Sequence, residues 1–131
     1  MMTPDQKEYL RNWMFRANED IALIKYLSRN ELESYLSTIC MHAQQAVEKF
    51  LKAFLVYHNI DFPRTHDIVF LLKQCQKIDP EDFNVDLGSL PFYGLKLRYP
   101  DDFYIPDKNE TLQNIEIAIK IKKFVENKVK F

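Results

Sequence analysis

Residues 33–57 read ESYLSTICMHAQQAVEKFLKAFLVY, and this stretch decides the fold. Leu36, Ile39, Cys40, Ala43, Val47, Phe50, Leu51 and Phe54 recur at helical spacing. The period predicts one helix over about residues 33–57, long enough to bridge a small domain. Asn59-Ile60-Asp61-Phe62-Pro63 follows, and Pro63 cannot easily continue a helix, since it lacks an N–H and restricts the residue before it.

Helical signals extend to both sides. Upstream, Thr3-Pro4-Asp5-Gln6 combines an N-cap, a proline at the first helical position and a capping-box glutamine. Leu10, Trp13, Met14, Ala17, Ile21, Ile24 and Leu27 then predict a helix over about 4–28. Downstream, Thr65 is a candidate cap for a helix over about 66–77, with Ile68, Leu71, Leu72 and Cys75 on its apolar face. Asp79-Pro80 suggests a brief helix near 80–86. Residues 87–106 hold both glycines and three of the six prolines, and their aromatics suggest an irregular segment packed onto the core. Asp107 caps a last helix over about 108–129. Here Ile115, Ile117, Ile119 and Ile121 alternate like a strand, but the long run without glycine or proline favours a helix. Leu112, Ile115, Ala118, Ile119, Val125 and Val129 make one face, while Ile117, Ile121 and Phe124 make a second. Such a helix must be buried on two sides, by a subunit interface or by another helix of the chain. The expected architecture is all-α: an antiparallel up-and-down bundle of four to five helices in a single domain, residues 1–131.

Composition excludes several functions. Eighteen basic against nineteen acidic residues give a net charge of −1, so bulk polycation binding to nucleic acid is excluded. With Gly88 and Gly94 as the only glycines, no Walker or Rossmann phosphate loop fits. The N-terminus has no apolar signal region and no stretch is apolar enough to span a membrane, so a cytoplasmic location is expected. Cys40 and Cys75 lie in helical apolar patterns and read as small buried hydrophobes. The three histidines share no metal-ligand spacing with a cysteine, and no metal or cofactor is expected.

Three polar runs remain. Gln44, Glu48 and Lys52 are four apart and form one line beside the core stripe of the second helix. They read either as a solvated face with a Glu48–Lys52 pair or as the polar wall of a cleft. Pro63-Arg64-Thr65-His66-Asp67 contributes His66, which can hydrogen-bond across the core. Arg98-Tyr99-Pro100-Asp101-Asp102 offers a planar cation suited to phosphate and an aromatic ring able to stack on a base. Its plain alternative is a turn with an Arg98–Asp101 ion pair. A mildly basic strip on the last helix, Lys120 to Lys130, reads as a solvated side.

Together these runs resemble the HEPN domain family. The resemblance rests on Trp13, Ala17 and Asp20, on residues 44–53 (QQAVEKFLKA), on Thr65-His66-Asp67-Ile68 with Leu71-Leu72, and on Arg98-Tyr99-Pro100-Asp101. It implies a helical bundle, usually a homodimer. It implies one of two activities. Many members are metal-independent ribonucleases, often toxins, with an arginine and a histidine four to six residues apart. Others act beside a minimal nucleotidyltransferase and are proposed to bind nucleotides. Here Arg98 is followed by Phe103, Tyr104 and Ile105 where the histidine would stand, so no catalytic residue is assigned. The expectation is a nucleotide- or phosphate-binding module acting with a separate nucleotidyltransferase in a toxin–antitoxin-like pair. Its ligand-binding residues would be Gln44, Glu48, Lys52, His66, Arg98, Tyr99 and Asp101. The alternatives are a ribonuclease toxin acting on RNA, with His66 or Tyr104 in acid–base work, and a non-catalytic interaction subunit.

Overall fold

A computed structural model describes residues 2–95 and 104–131. Among them every regular element is helical and there is no strand: α1 Pro4–Asn30, α2 Leu36–Tyr57, α3 Ile68–Ile78, a single turn α4 Phe92–Leu95, and α5 Lys108–Lys128. A short 3-10 turn, Leu32–Ser34, joins α1 to α2.

α2 is the axis of the bundle. From Ala43 to Leu55 all its residues are buried except the half-buried Gln45 and Lys49. α1 packs along one side of it, α5 along another, and α3 and α4 complete the enclosure. The core joins Ile21 and Ile24 of α1, Val47, Phe50, Leu51 and Phe54 of α2, Leu71 of α3, and Ala118, Ile121 and Val125 of α5.

The ends of the helices have local causes. Thr3 and Gln6 form the expected reciprocal capping box. α2 ends before Pro63 is reached. Asn59 takes a positive φ of 57°, Ile60 N–H donates to Leu55 O and Asn59 N–H to Val56 O. This is a left-handed cap, with asparagine tolerating the conformation that usually calls for glycine. α3 starts at Ile68, not 66. Its cap is Asp67, whose carboxylate accepts from the Val69 and Phe70 N–H groups, while Thr65 Oγ1 accepts from Asp67 N–H one step earlier.

Two expectations are corrected. No helix forms near 80–86; Asp79 holds a turn there, and Lys128 bridges Asp79 at 3.0 Å and Asp82 at 2.9 Å. On α5 the buried line is Thr111, Asn114, Ala118, Ile121 and Val125, whereas Leu112 is exposed. The wheel misplaced this face because two polar residues belong to it: Asn114 donates to Cys40 Sγ and Ser89 Oγ, and the Thr111 hydroxyl donates to Asp107 O. The second apolar side is covered in part by the chain itself: Ile121 is buried, the half-buried Phe124 packs against the buried Phe83, and Ile117 is half-buried.

Glu110 ties the irregular connection to α5. It accepts from the Ser89 hydroxyl at 2.8 Å and from the Tyr93 and Tyr104 hydroxyls at 2.6 Å each. Burial opposes its charge, but the Tyr104, Tyr93 and Ser89 donors outweigh that and lower its pKa below the ordinary 4.5. A carboxylate with a lowered folded pKa stabilises the fold above its unfolded value, and that contribution is lost as pH falls through the folded value. The stability gap between the wild type and Glu110→Gln should therefore be largest at neutral pH and shrink below about pH 4.5. Urea midpoints at neutral and acidic pH measure this; a gap that does not change with pH refutes it.

Candidate functional site

Gln44, Glu48 and Lys52 do not form a solvated face. They are 0%, 5% and 5% exposed, on the side of α2 covered by α1 and by the chain leading into α3. The Lys52 ammonium donates to Glu48 Oε2 at 3.0 Å. It also lies over two rings, 5.2 Å from the Trp13 centroid and 5.7 Å from that of Phe62. A buried cation is tolerated here because a carboxylate and two π-faces replace its water.

The other Glu48 oxygen meets His66 Nδ1 at 2.9 Å. The His66 side chain is 51% exposed, so the imidazole joins the buried carboxylate to the surface. Gln44 Nε2 donates to the His66 carbonyl at 3.0 Å and fixes the backbone that carries the ring. Its Oε1 is buried and has no hydrogen-bond partner among the described residues. Buried amide oxygens are rarely left so, because desolvation without a partner costs about 1–3 kcal/mol. Gly94 of α4 closes the wall. A Cβ there would strike the Gln44 amide and stand 2.9 Å from His66 O.

Four of the seven expected ligand-binding residues thus converge: Gln44, Glu48, Lys52 and His66. Arg98, Tyr99 and Asp101 lie outside the described residues. Tyr104, the alternative acid–base group, donates to Glu110, which raises its pKa above the ordinary phenol value. It is thereby less suited to proton transfer at neutral pH. Burial likewise raises the Cys40 thiol, and takes that of Cys75 to about 12. Neither is an activated nucleophile.

A second polar cluster was missed as a unit. Asp20, 6% exposed on α1, receives Lys49 Nζ at 2.7 Å and meets His42 Nδ1 at 2.9 Å. Its signal was available: His42 and Lys49 stand two turns apart on one face of α2, and Asp20 interrupts the apolar side of α1. The cluster bolts α1 to α2. Among the described residues no group of three histidine, cysteine, aspartate or glutamate side chains is placed to hold a metal ion. No helix among them is long and apolar enough to cross a membrane. A cavity of about 540 Å³ at the C-terminal end of α2, between Lys7, Tyr57 and Phe131, is lined by none of the four site residues.

Comparison with known proteins agrees with this architecture. The model of the HEPN domain family matches residues 10–128. The crystal structure of ST0689, an archaeal HEPN homologue, superposes with a TM-score of 0.63 at 23% identity, covering 92% of this chain and 98% of that one. At that identity the likeness shows the fold. No curated protein matches the chain.

The crowding at Gly94 yields a test of the wall. Gly94→Ala should lower stability by roughly 1–3 kcal/mol, since a close-packed neighbour must move. In a Gln44→Ala background the same change should cost less, because the crowding amide is gone. Urea unfolding of the four proteins closes the cycle; an equal cost in both backgrounds would exclude Gln44 as the crowding group.

Proposed function

The chain belongs to the HEPN domain family, and from that premise we propose that it is a nucleotide- or phosphate-binding module acting with a separate minimal nucleotidyltransferase. The observation that carries this is the buried Glu48 with His66 at its surface edge, beside a Gln44 oxygen that has no hydrogen-bond partner among the described residues. A ligand with a donor group would complete Gln44. Its anionic part would meet His66 and Arg98, with Tyr99 stacking on a planar ring and Asp101 accepting from a hydroxyl. Lys52 serves this site through Glu48, whose charge it balances. The module works as a homodimer in the cytoplasm, as one half of a toxin–antitoxin-like pair.

One specific geometry favours a second reading. A histidine whose Nδ1 meets a carboxylate and whose other nitrogen can face solvent is oriented as general bases are. His66 would then take a proton from an RNA 2′-hydroxyl while Arg98 steadies the phosphate, as in a metal-independent ribonuclease. A pure interaction subunit would show neither binding nor cleavage.

Thermal unfolding with adenine and guanine nucleotides and inorganic phosphate separates these readings. A ligand at one hundred times its Kd stabilises the folded form by about 2.7 kcal/mol. One nucleotide should raise the Tm, and Arg98→Ala and His66→Ala should each abolish the rise. No rise with any of them refutes the binding module. Cleavage of RNA in the presence of EDTA that is lost in His66→Ala would establish the ribonuclease instead.

A further inference from the structure

α1 is covered by the bundle on one side. Leu10, Ala17, Ile21, Ile24 and Leu27 face inward. The opposite side carries large apolar groups in water: Phe15 and Tyr26 are each 64% exposed and Leu23 is 37% exposed. Phe15 and Tyr26 are eleven residues apart, which returns to nearly the same angle on a helix. Glu19 and Ala22 stand between them, also exposed, and complete a seam with alternating steps of four and three. Phe15, Leu23 and Tyr26 thus share this face with the exposed charges of Glu8, Arg16, Glu19 and Arg29, the mix of apolar anchors and polar rim found at interaction surfaces.

We propose that this seam is a homodimer interface, in which two copies of the chain meet along α1, antiparallel, about a two-fold axis at Glu19. It rests on the dimeric reading above and specifies the face and the register. The argument for a second copy is self-complementarity. About an axis at Glu19, Phe15 faces Leu23 of the other copy, four residues on either side of the centre. Asn12 faces Tyr26, seven on either side, pairing an amide with a phenol. Glu8, eleven before the centre, reaches Arg29, ten after it. The small Ala22 leaves room for Arg16 to lie across it and approach Glu19 of the other copy, which offsets the like charges at the axis. Glu8, Arg16, Glu19 and Arg29 have no ion-pair partner among the described residues, so all are open to such pairing. A parallel arrangement sets Glu8 on Glu8 and Arg29 on Arg29, and its helix dipoles repel; the antiparallel one removes both conflicts.

Size-exclusion chromatography with light scattering, from about 10 to 200 μM protein, reads the mass over the range where interfaces of this class form. The wild type should run as a dimer. Phe15→Glu and Tyr26→Glu should each run as monomers with circular dichroism and Tm retained, since both side chains are exposed in the single chain. Glu8→Arg should weaken the dimer several-fold, and adding Arg29→Glu should restore it. Glu19→Cys fixes the register. Cys40 and Cys75 are fully buried, so under copper–phenanthroline oxidation the thiol at position 19 should link the two copies into a covalent dimer. A dimer that survives both glutamate substitutions, or that the thiol at position 19 fails to link, overturns this interface and leaves dimerisation itself standing. A monomeric wild type overturns both.

Discussion

The Glu48 carboxylate organises the side of the bundle where the candidate site lies. It is buried on the central helix and bonded by Lys52 from its own helix and by His66 from the chain that leads into α3. Removing one partner of a buried pair leaves an uncompensated charge, which costs on the order of 3–5 kcal/mol. The surrounding groups follow from that constraint. Trp13 and Phe62 supply the ring faces that Lys52 needs in place of water, and Gln44 holds the His66 backbone so that its imidazole reaches the carboxylate. Gly94 is small because Gln44 is already there. A charge placed in the core thus specifies which segment covers it.

Asp20 makes a parallel arrangement farther along the contact between α1 and α2, where it meets Lys49 and His42. In each case one buried carboxylate receives a lysine and a histidine. The environments differ: Lys52 is almost wholly enclosed, whereas the Lys49 side chain is 24% exposed. The more open pair is screened by water and acts as a fastener between helices. The enclosed pair is the costlier one to build, and it is the one that lies beside an amide oxygen with no hydrogen-bond partner among the described residues.

Much of the fold was legible in the sequence, because long amphipathic periods and caps are local signals. Thr3 with Gln6 and the α2 stripe are examples. The burial of Gln44, Glu48 and Lys52 was not legible. Three polar residues at four-residue spacing write the same pattern whether they face water or a covering segment, and only the approach of Trp13, Phe62 and His66 decides between the two. The α5 face failed for the same reason, since Thr111 meets Cys40 and Asn114 meets Cys40 and Ser89, all distant in sequence. The start of α3 was misjudged by two residues because Thr65 and Asp67 are both good caps and only the backbone geometry selects Asp67. Arg98, Tyr99 and Asp101 were singled out by the chemistry of their short run and then by the resemblance, and their part in the site belongs to the proposal.

Glu110 has one more consequence. Tyr93 and Tyr104, eleven positions apart in the chain, both end on its carboxylate, so one side chain of α5 acts as a crosslink between two points of the connection. Unlike a covalent bridge it is made of charge-assisted hydrogen bonds, and both of its arms depend on one ionised group. The state of a single proton is therefore felt at both points together, a coupling that two separate anchors would not give.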